Sequence, residues 1–331
     1  MKLNALGSTH HRVSPIGIGL AALGRPGYIN IGHEDDLDRN YDVPAMETRA
    51  HAVLDAAYKS GVRYFDAARS YGRAEEFLGS WLRKRKLSAD SIVVGSKWGY
   101  TYTADWTIDA ENHEVKEHSL PILQRQWLES RSNLGPCLDL YQIHSATLES
   151  GVLGNKNVLA ELALLKSEGI AIGLSVSGPR QEEVIEQALI LKVDGARLID
   201  SVQATWNLLE KSAGIALANA RQMGVGVIVK EALANGRLTG RNRETGFAHK
   251  LKILNREAQR LGTTLDAVAL AAVISQPWVD VVLSGAATIE HLQSNLRAVD
   301  VIWDEEADSR LNELVESQAV YWKTRSGLAW N

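Results

Sequence analysis

The chain has 331 residues, of which 45% are hydrophobic and 23% are charged, and its formal net charge is −4. This length and composition fit one large globular α/β protein, and the mixed charges exclude the clustered basic face that nucleic-acid binding requires. Since no apolar stretch approaches the roughly 20 residues of a membrane span and no apolar core for a signal peptide is present, we expect a cytoplasmic protein without membrane or nucleic-acid partners.

Eight β-rich runs alternate with segments of helical periodicity along the chain. Several runs lack a clean alternation of apolar and polar residues, as expected of strands that are buried on both faces. Eight strand–helix units in a chain of this length favour an α/β fold with a closed (β/α)8 TIM barrel, in a single domain spanning residues 1–331. The predicted strands are Pro15–Leu23, Val62–Ala68, Ser91–Trp98, Leu138–Ser145, Ile170–Gly178, Asp200–Asn207, Val225–Leu233 and Val279–Ala286.

Four segments between these strands have the clearest helical pattern. Residues 46–61, 158–169 and 213–224 carry apolar residues at helical spacing and end at a glycine, which is a frequent helix C-terminus. Residues 179–192 begin with Pro179, which is tolerated in a first turn because its missing N–H would have no partner there.

Two segments are longer than the barrel needs, and both follow a predicted strand. Residues 24–45 follow the first strand and residues 99–118 follow the third, so both belong to the C-terminal face on which barrel active sites are built. We predict that these loops and the tail 318–331 form walls of a substrate pocket, since long ordered loops are often functional. The alternative is that they are variable surface insertions.

Four tryptophans lie in or directly beside these predicted loops and the tail. They favour an aromatic-lined pocket that stacks on sugar rings or bulky apolar ketones and is wider than short aldehydes require. The tryptophans predicted to contact substrate are Trp98, Trp106, Trp206 and Trp322, with Trp330 as a further aromatic residue of the tail.

A G-x-G pattern occurs within Gly17–Gly24, on the first predicted strand. A dinucleotide-binding fingerprint needs a helix directly after the glycines and an acidic residue about 20 positions further on. Here a long loop follows instead, so the pattern does not predict a phosphate-binding turn.

Polar side chains stand at the C-terminal ends of three consecutive strands. Asp66 and Tyr71 follow strand two, Lys97 ends strand three and His144 ends strand four. Barrel closure places neighbouring strand ends side by side, so the four groups are expected to converge. A cation beside a phenol favours its ionised form, and an imidazole can orient a carbonyl oxygen or help to pass the proton. This set therefore predicts a proton-donating site for carbonyl reduction, with hydride from a cofactor.

Each of these residues also has a structural interpretation when taken alone. An aspartate after a strand often caps the next helix, and a lysine at a strand end usually extends into solvent. Two other functions are also open. Lys97 could be the Schiff-base nucleophile of a barrel aldolase, or the chain could be a cofactor-binding regulatory subunit with little turnover.

The segments "FDAARSYG", "GSKW" and "YQIH", in this order and on these strands, resemble the aldo-keto reductase superfamily. The resemblance covers about residues 12–300. It implies a catalytic tetrad of Asp66, Tyr71, Lys97 and His144, and an NAD(P)(H)-dependent interconversion of aldehydes, ketones or sugars with alcohols in which Tyr71 is the general acid and base. The implied partner is a small carbonyl or alcohol, no metal is implied, and the sequence carries no signal for an oligomer.

The resemblance also implies which residues bind the cofactor. Lys230 stands where many family members have an aromatic residue against the nicotinamide, and His291 stands where many have an arginine against the 2′-phosphate. NADP(H) is favoured over NAD(H) on this resemblance, although Gly285 and Ala286 replace a frequent Lys-Ser pair. The full set of predicted cofactor contacts is Ser175, Ser177, Gln203, Lys230, Leu233, Gly236, Leu238, Gly285, His291 and Asn295.

Overall fold

The computed structural model describes residues 1–331 and has a closed barrel of eight parallel strands at its centre. Each strand pairs with its neighbours along the chain, and the last strand pairs with the first to close the barrel. The strands are β1 Ile16–Gly19, β2 Tyr64–Asp66, β3 Val93–Trp98, β4 Leu138–Ala146, β5 Ala171–Val176, β6 Ser201–Thr205, β7 Gly226–Lys230 and β8 Val281–Ser284. The predicted (β/α)8 barrel is confirmed.

Helices surround the barrel, and the four predicted helical segments correspond to α2, α5, α6 and α7. Capping follows the local sequence, because Asp42 accepts a hydrogen bond from the Ala45 backbone at the start of α2. The helices are α1 His33–Asp36, α2 Val43–Lys59, α3 Ala74–Arg85, α4 Leu120–Leu134, α5 Lys156–Ser167, α6 Gln181–Leu189, α7 Gly214–Gln222, α8 Ala248–Arg260, α9 Leu265–Ile274, α10 Ile289–Leu296, α11 Glu305–Leu311 and α12 Gln318–Ser326.

The N-terminal ends of the strands are closed by apolar packing. A ribbon of Asn4–Ala5 and Arg12–Val13 precedes β1, and Leu6 belongs to a buried cluster that also contains Tyr64 and Leu140 from inside the barrel. The largest apolar cluster, of 62 buried residues, joins the strands to the surrounding helices. Polar side chains inside the barrel therefore meet at its other end, where the strands finish.

Three segments cover that C-terminal end. Residues 24–45 contain α1, residues 99–118 contain an antiparallel ribbon of Tyr100–Tyr102 with Glu114–Lys116, and residues 318–331 contain α12. Tyr28 and Asn331 exchange two backbone hydrogen bonds of 3.0 and 3.2 Å, so the tail is bound to the loop after β1. No helix combines the length and apolar character that a membrane crossing requires.

Candidate active site

Lys97 and Asp66 form an ion pair inside the barrel. The Lys97 ammonium donates to Asp66 Oδ2 and, at 3.0 Å, to the carbonyl oxygen of Ala67. The two residues lie at the ends of β3 and β2, which pair directly in the barrel. Because both side chains are almost fully excluded from solvent, each charge depends on the other for its stabilisation.

The second oxygen of the Asp66 carboxylate accepts three further hydrogen bonds. Tyr64 OH donates to Asp66 Oδ1 at 3.0 Å, and the side-chain amides of Gln142 and Gln203 donate to it at 3.1 Å each. These donors come from β2, β4 and β6. Donors from three strands and the Lys97 ammonium thus hold the Asp66 carboxylate in place. The fixed carboxylate in turn sets the direction of the Lys97 ammonium group.

Tyr71 lies in the turn between β2 and α3, next to this ion pair. Its ring centroid is 5.0 Å from Lys97 Nζ, and its ring meets the His144 ring edge-on at 5.4 Å. The turn also contacts the loop after β1, where a Cβ at Gly24 would collide with the carbonyl oxygen of Tyr71. Glycine is therefore required at position 24 by the close packing of these two segments. Asp66, Tyr71, Lys97 and His144, which were predicted to converge, do lie together.

The protonation states in this cluster follow from burial and from neighbouring charge. Burial, and then the Asp66 carboxylate, raise the pKa of Tyr71, so the phenol keeps its proton at neutral pH. Burial, and then the Lys97 and Arg25 cations, lower the pKa of His144 well below its usual value, so the imidazole is neutral. The cluster thus presents a protonated phenol beside a neutral imidazole.

A cavity of about 440 Å³ opens from Tyr71 and His144 along the C-terminal face of the barrel. Most of the predicted cofactor residues line it, but Ser175 and Leu238 do not. Ser175 is buried behind the wall, where its hydroxyl accepts from the Ser145 backbone at 2.8 Å, and Leu238 belongs to an apolar cluster below the surface. The predicted cofactor residues that line the cavity are Ser177, Gln203, Lys230, Leu233, Gly236, Gly285, His291 and Asn295.

Lys230 ends β7 and is anchored on the cavity wall beside the cluster. Its ammonium donates to Thr205 Oγ1 at 2.9 Å and to Ser177 Oγ at 3.2 Å. Burial lowers the pKa of Lys230 to about 8, although the adjacent Glu231 carboxylate opposes that shift. Glu231 itself is held by Arg325 of α12 at 2.7 Å, and despite its burial the Arg325 and Lys230 cations lower its pKa to about 2.

A second group of charges lies at the part of the cavity formed by α10. Arg241 and His291 line this region, and both contact the buried carboxylate of Asp36 at the end of α1. Arg241 forms an ion pair with Asp36 Oδ1, and His291 Nδ1 lies 3.7 Å from the same oxygen. The sequence identified His291 but not the pair of Asp36 and Arg241, whose members are 205 positions apart in the chain.

The cavity wall contains groups that suit a polar, elongated ligand such as a dinucleotide. Asn235 lines the cavity with a buried side-chain oxygen that has no protein partner. The N-terminal part of α10 and the preceding Gly285 and Ala286 also face the cavity, and a helix N-terminus attracts phosphate. The residues present therefore fit a nicotinamide dinucleotide.

The four tryptophans predicted to contact substrate do not line this cavity. Trp98 follows Lys97 on β3, so its side chain points away from the barrel interior, and it is completely buried in the main core with its ring against His118. Trp206 packs edge-on against Trp278 in the same core. Trp322 belongs to the apolar cluster around α8 and α9.

The remaining predicted tryptophan supports a loop. Trp106 donates its indole N–H to the carbonyl oxygen of Tyr41 at 2.6 Å and packs against Phe77. Trp330, in contrast, does line the cavity, stacked on His113 at a centroid distance of 3.9 Å. The cavity lining also includes the charged side chains of Arg25, Glu114 and Glu231.

Arg25 is the residue at this site that the sequence analysis missed most clearly. It lines the cavity although it is only 3% exposed, and its guanidinium lies 5.1 Å from the Tyr71 ring centroid. Its acidic partner, Glu114, is 89 positions away. Neither the burial of Arg25 nor its partner could be predicted from the spacing of residues in the sequence.

A family model described as "Aldo/keto reductase family" matches residues 15–316 of this chain. The chain belongs to the aldo/keto reductase family. Membership implies nicotinamide-dependent oxidoreduction of carbonyl groups, and the resemblance stated from the sequence is confirmed.

Curated relatives and solved structures agree with this membership. The chain is 25% identical to aldo-keto reductase str7 of Strobilurus tenacellus, over 93% of this chain and 90% of that protein. It is 26% identical to L-glyceraldehyde 3-phosphate reductase of Escherichia coli, over 86% of this chain and 85% of that enzyme. The holo form of aldo-keto reductase AKR11C1 from Bacillus halodurans has the same fold, with a TM-score of 0.74 and 23% identity over 96% of this chain and 97% of that chain.

Proposed function

We propose that this aldo/keto reductase interconverts carbonyls and alcohols at Tyr71, with Asp66, Lys97 and His144 completing the catalytic set. The observation that carries the proposal is the contact between the protonated phenol, the neutral imidazole and the buried Lys97–Asp66 pair at one end of the cavity. This arrangement can give a proton to a carbonyl oxygen and take it back from an alcohol.

In the direction of reduction, Tyr71 donates its phenolic proton to the carbonyl oxygen. The Lys97 ammonium, which lies 5.0 Å from the ring centroid, stabilises the phenolate that forms. Asp66 keeps that ammonium charged and in place through the ion pair. His144, whose imidazole is neutral, orients the carbonyl oxygen as a hydrogen-bond donor beside Tyr71.

When bound in this cavity, a nicotinamide cofactor would supply the hydride for the carbonyl carbon. Ser177, Gln203 and Lys230 line the wall beside the catalytic cluster and would contact the nicotinamide end. The adenosine end would lie against the N-terminal part of α10. Gly236 and Leu233 would contact the pyrophosphate between these two ends.

We propose NADP(H) as the preferred form of this cofactor, with the Arg241 guanidinium and the His291 side chain as the groups that bind the additional phosphate. Both side chains line the cavity beside α10, and a dianionic phosphate attracts such a pair. Asp36 contacts the same two side chains. NADP(H) must therefore displace Asp36 from Arg241, which reduces the net gain from its phosphate, whereas NAD(H) binds without that exchange.

The aldolase alternative receives no support from the surroundings of Lys97. A Schiff-base lysine must reach the substrate carbonyl as a free amine. The Lys97 ammonium is instead bound to Asp66 and Ala67, and the residue is fully buried outside the cavity wall.

For the substrate we propose a polar, hydroxylated aldehyde or ketone rather than a bulky apolar ketone. The wall near Tyr71 carries hydrogen-bonding groups from Arg25, Glu114, Ser145 and Glu231. Because these charges are already paired within the protein, as in Arg25–Glu114 at 3.0 Å, they suit neutral hydroxyl groups. The Escherichia coli relative is named for an aldehyde that carries a hydroxyl and a phosphate group, and it shares the hydroxylated carbonyl of this class but not its neutrality.

A two-stage measurement tests the proposed function. The affinities for NADPH and NADH are first measured by quenching of tryptophan fluorescence, and the tighter cofactor is then used with a panel of sugars, short aldehydes and apolar ketones while its absorbance at 340 nm is recorded. We expect tighter NADPH binding and the highest kcat/KM with a hydroxylated carbonyl. Binding of cofactor without turnover on any carbonyl would support the regulatory subunit instead.

A further inference from the structure

Arg25 occupies an unusual position between aromatic rings beside the catalytic cluster. Its guanidinium carbon lies 5.1 Å from the ring centroid of Tyr71, 5.2 Å from that of Tyr28 and 4.8 Å from that of Trp330. Cations at such distances from aromatic faces are attracted to them, and the attraction grows when water is excluded. With 3% of its surface exposed, Arg25 is a nearly dry cation beside the proposed proton donor.

Two hydrogen bonds fix the guanidinium in this position, and both use the same nitrogen. Nη1 donates to the carbonyl oxygen of Ser70 at 3.1 Å and to Glu114 Oε2 at 3.0 Å. Ser70 directly precedes Tyr71, so the same turn that presents the phenol also holds the cation. Nε is buried and has no protein partner. The side chain is therefore anchored at one end, and its charge remains directed at its aromatic neighbours.

We propose that Arg25 is a positioning residue for the carbonyl-reduction site: its guanidinium, held by Ser70 and Glu114, stabilises the phenolate that Tyr71 becomes when it has donated its proton. The inference rests on the proposed function, because it assigns Arg25 a role through Tyr71. Lys97 is the other cation at this ring, and it is paired with Asp66 as Arg25 is paired with Glu114. Arg25 would supply a second positive charge from a different element, the loop after β1.

The charges around Tyr71 act in opposite directions. Apart from burial, Asp66 raises the pKa of Tyr71 most strongly, Arg25 lowers it, and Glu114 and Glu231 raise it again. Removal of the Arg25 charge and removal of the Glu114 charge should therefore shift the Tyr71 titration in opposite senses. The titratable and charged groups of the packed elements around this site are Arg25, Tyr28, Asp66, Lys97, Tyr100, Glu114, His144, Lys230, Glu231 and Arg325.

The test is the pH dependence of kcat/KM for alcohol oxidation, in which Tyr71 must accept a proton, measured from pH 6 to 11 in three variants. In Arg25→Met we expect kcat/KM at each pH on the rising part of the profile to fall about tenfold, which corresponds to an upward shift of the profile by about one pH unit, because the phenolate loses a neighbouring cation. In Glu114→Gln we expect the opposite change, a rise in kcat/KM at each such pH, since Ser70 still holds the guanidinium. The pH profile of Arg25→Lys should remain near that of the wild type, because lysine keeps a cation at this position.

The controls separate this role from a structural one and from failure of the proposed function. Tyr102→Phe, on the ribbon outside the cavity, should leave the profile unchanged. If the wild type turns over but kcat/KM on the rising part of the profile keeps its wild-type value in both Arg25→Met and Glu114→Gln, or if the wild-type rate does not depend on pH, the role of Arg25 is refuted. A change confined to KM would also refute it. If Arg25→Met does not fold, the shift in Glu114→Gln and the profile of Arg25→Lys decide the question, whereas a wild type with no turnover refutes the proposed function itself.

Discussion

The ammonium of Lys97 binds the carboxylate of Asp66 at a point in the barrel where the two side chains are 0% and 2% exposed. The two partners differ in their remaining contacts. Asp66 accepts three further hydrogen bonds, whereas Lys97 has only the Ala67 carbonyl in addition. The stabilisation of the buried Lys97 ammonium therefore depends more on the ion pair than the stabilisation of the Asp66 carboxylate does.

This asymmetry predicts unequal effects on stability. Asp66→Asn leaves a buried ammonium without its counter-charge and should lower the free energy of unfolding by about 3–5 kcal/mol. Lys97→Met removes the cation but leaves a carboxylate with three donors, so we expect a smaller loss. Urea unfolding of both variants at pH 7 measures the difference. Equal losses, or a larger loss in Lys97→Met, would contradict this description of the pair.

A second prediction concerns Lys230 and the charge of the nicotinamide ring. The oxidised ring is positively charged and the reduced ring is neutral, so a protonated Lys230 beside it disfavours the oxidised cofactor. Because the pKa of Lys230 is lowered to about 8, this repulsion is present below pH 8 and disappears above it. We therefore expect the dissociation constant of the oxidised cofactor to fall between pH 7 and pH 9, while that of the reduced cofactor changes little.

Lys230→Met supplies the comparison for this effect. The variant should bind the oxidised cofactor more tightly than the wild type at pH 7, and its dissociation constant should be nearly flat from pH 7 to 9. Fluorescence titrations with both redox forms measure these constants. If the pH dependence persists in Lys230→Met, a group other than Lys230 causes it.

Asp36 provides a third prediction, on the choice between NADP(H) and NAD(H). Asp36→Asn removes the carboxylate that contacts Arg241 and His291 and should leave both side chains free for a phosphate. We expect NADPH affinity to rise about tenfold, which corresponds to roughly 1.4 kcal/mol, with little change for NADH. Asp35→Asn, an exposed position on the same helix, is the matched control. An equal change for both cofactors would show that this end of the cavity does not distinguish them.

The barrel itself could be predicted because its signals are local. Each strand is a short β-rich run, each following helix shows apolar periodicity, and their alternation along the chain specifies the closed parallel sheet. The proximity of the four catalytic candidates could be predicted for the same reason. Asp66, Tyr71, Lys97 and His144 all stand at or just after the ends of consecutive strands. Their proximity follows from the order of the strands.

The rest of the site depends on contacts that no spacing reveals. The pairs Arg25–Glu114 and Asp36–Arg241 join loops that are far apart in the chain, and each residue alone reads as an ordinary surface charge. The predicted tryptophan contacts do not line the cavity, because a prediction from residue type does not include the direction of the side chain. Trp98 and Trp206 each directly follow a residue with polar contacts in the site, Lys97 and Thr205, and both tryptophans pack into the main core instead.

The role of Tyr71 is the central claim, and Tyr71→Phe tests it most directly, because the substitution removes the proton donor and keeps the ring against Lys97 and His144. The measurement is kcat/KM for reduction of the best carbonyl with the reduced cofactor, together with cofactor affinity, in this variant and in Tyr102→Phe. We predict a fall of about 10²- to 10⁴-fold in Tyr71→Phe, with unchanged cofactor affinity and with Tyr102→Phe near the wild type. Turnover by Tyr71→Phe within a few-fold of the wild type would contradict the proposed mechanism.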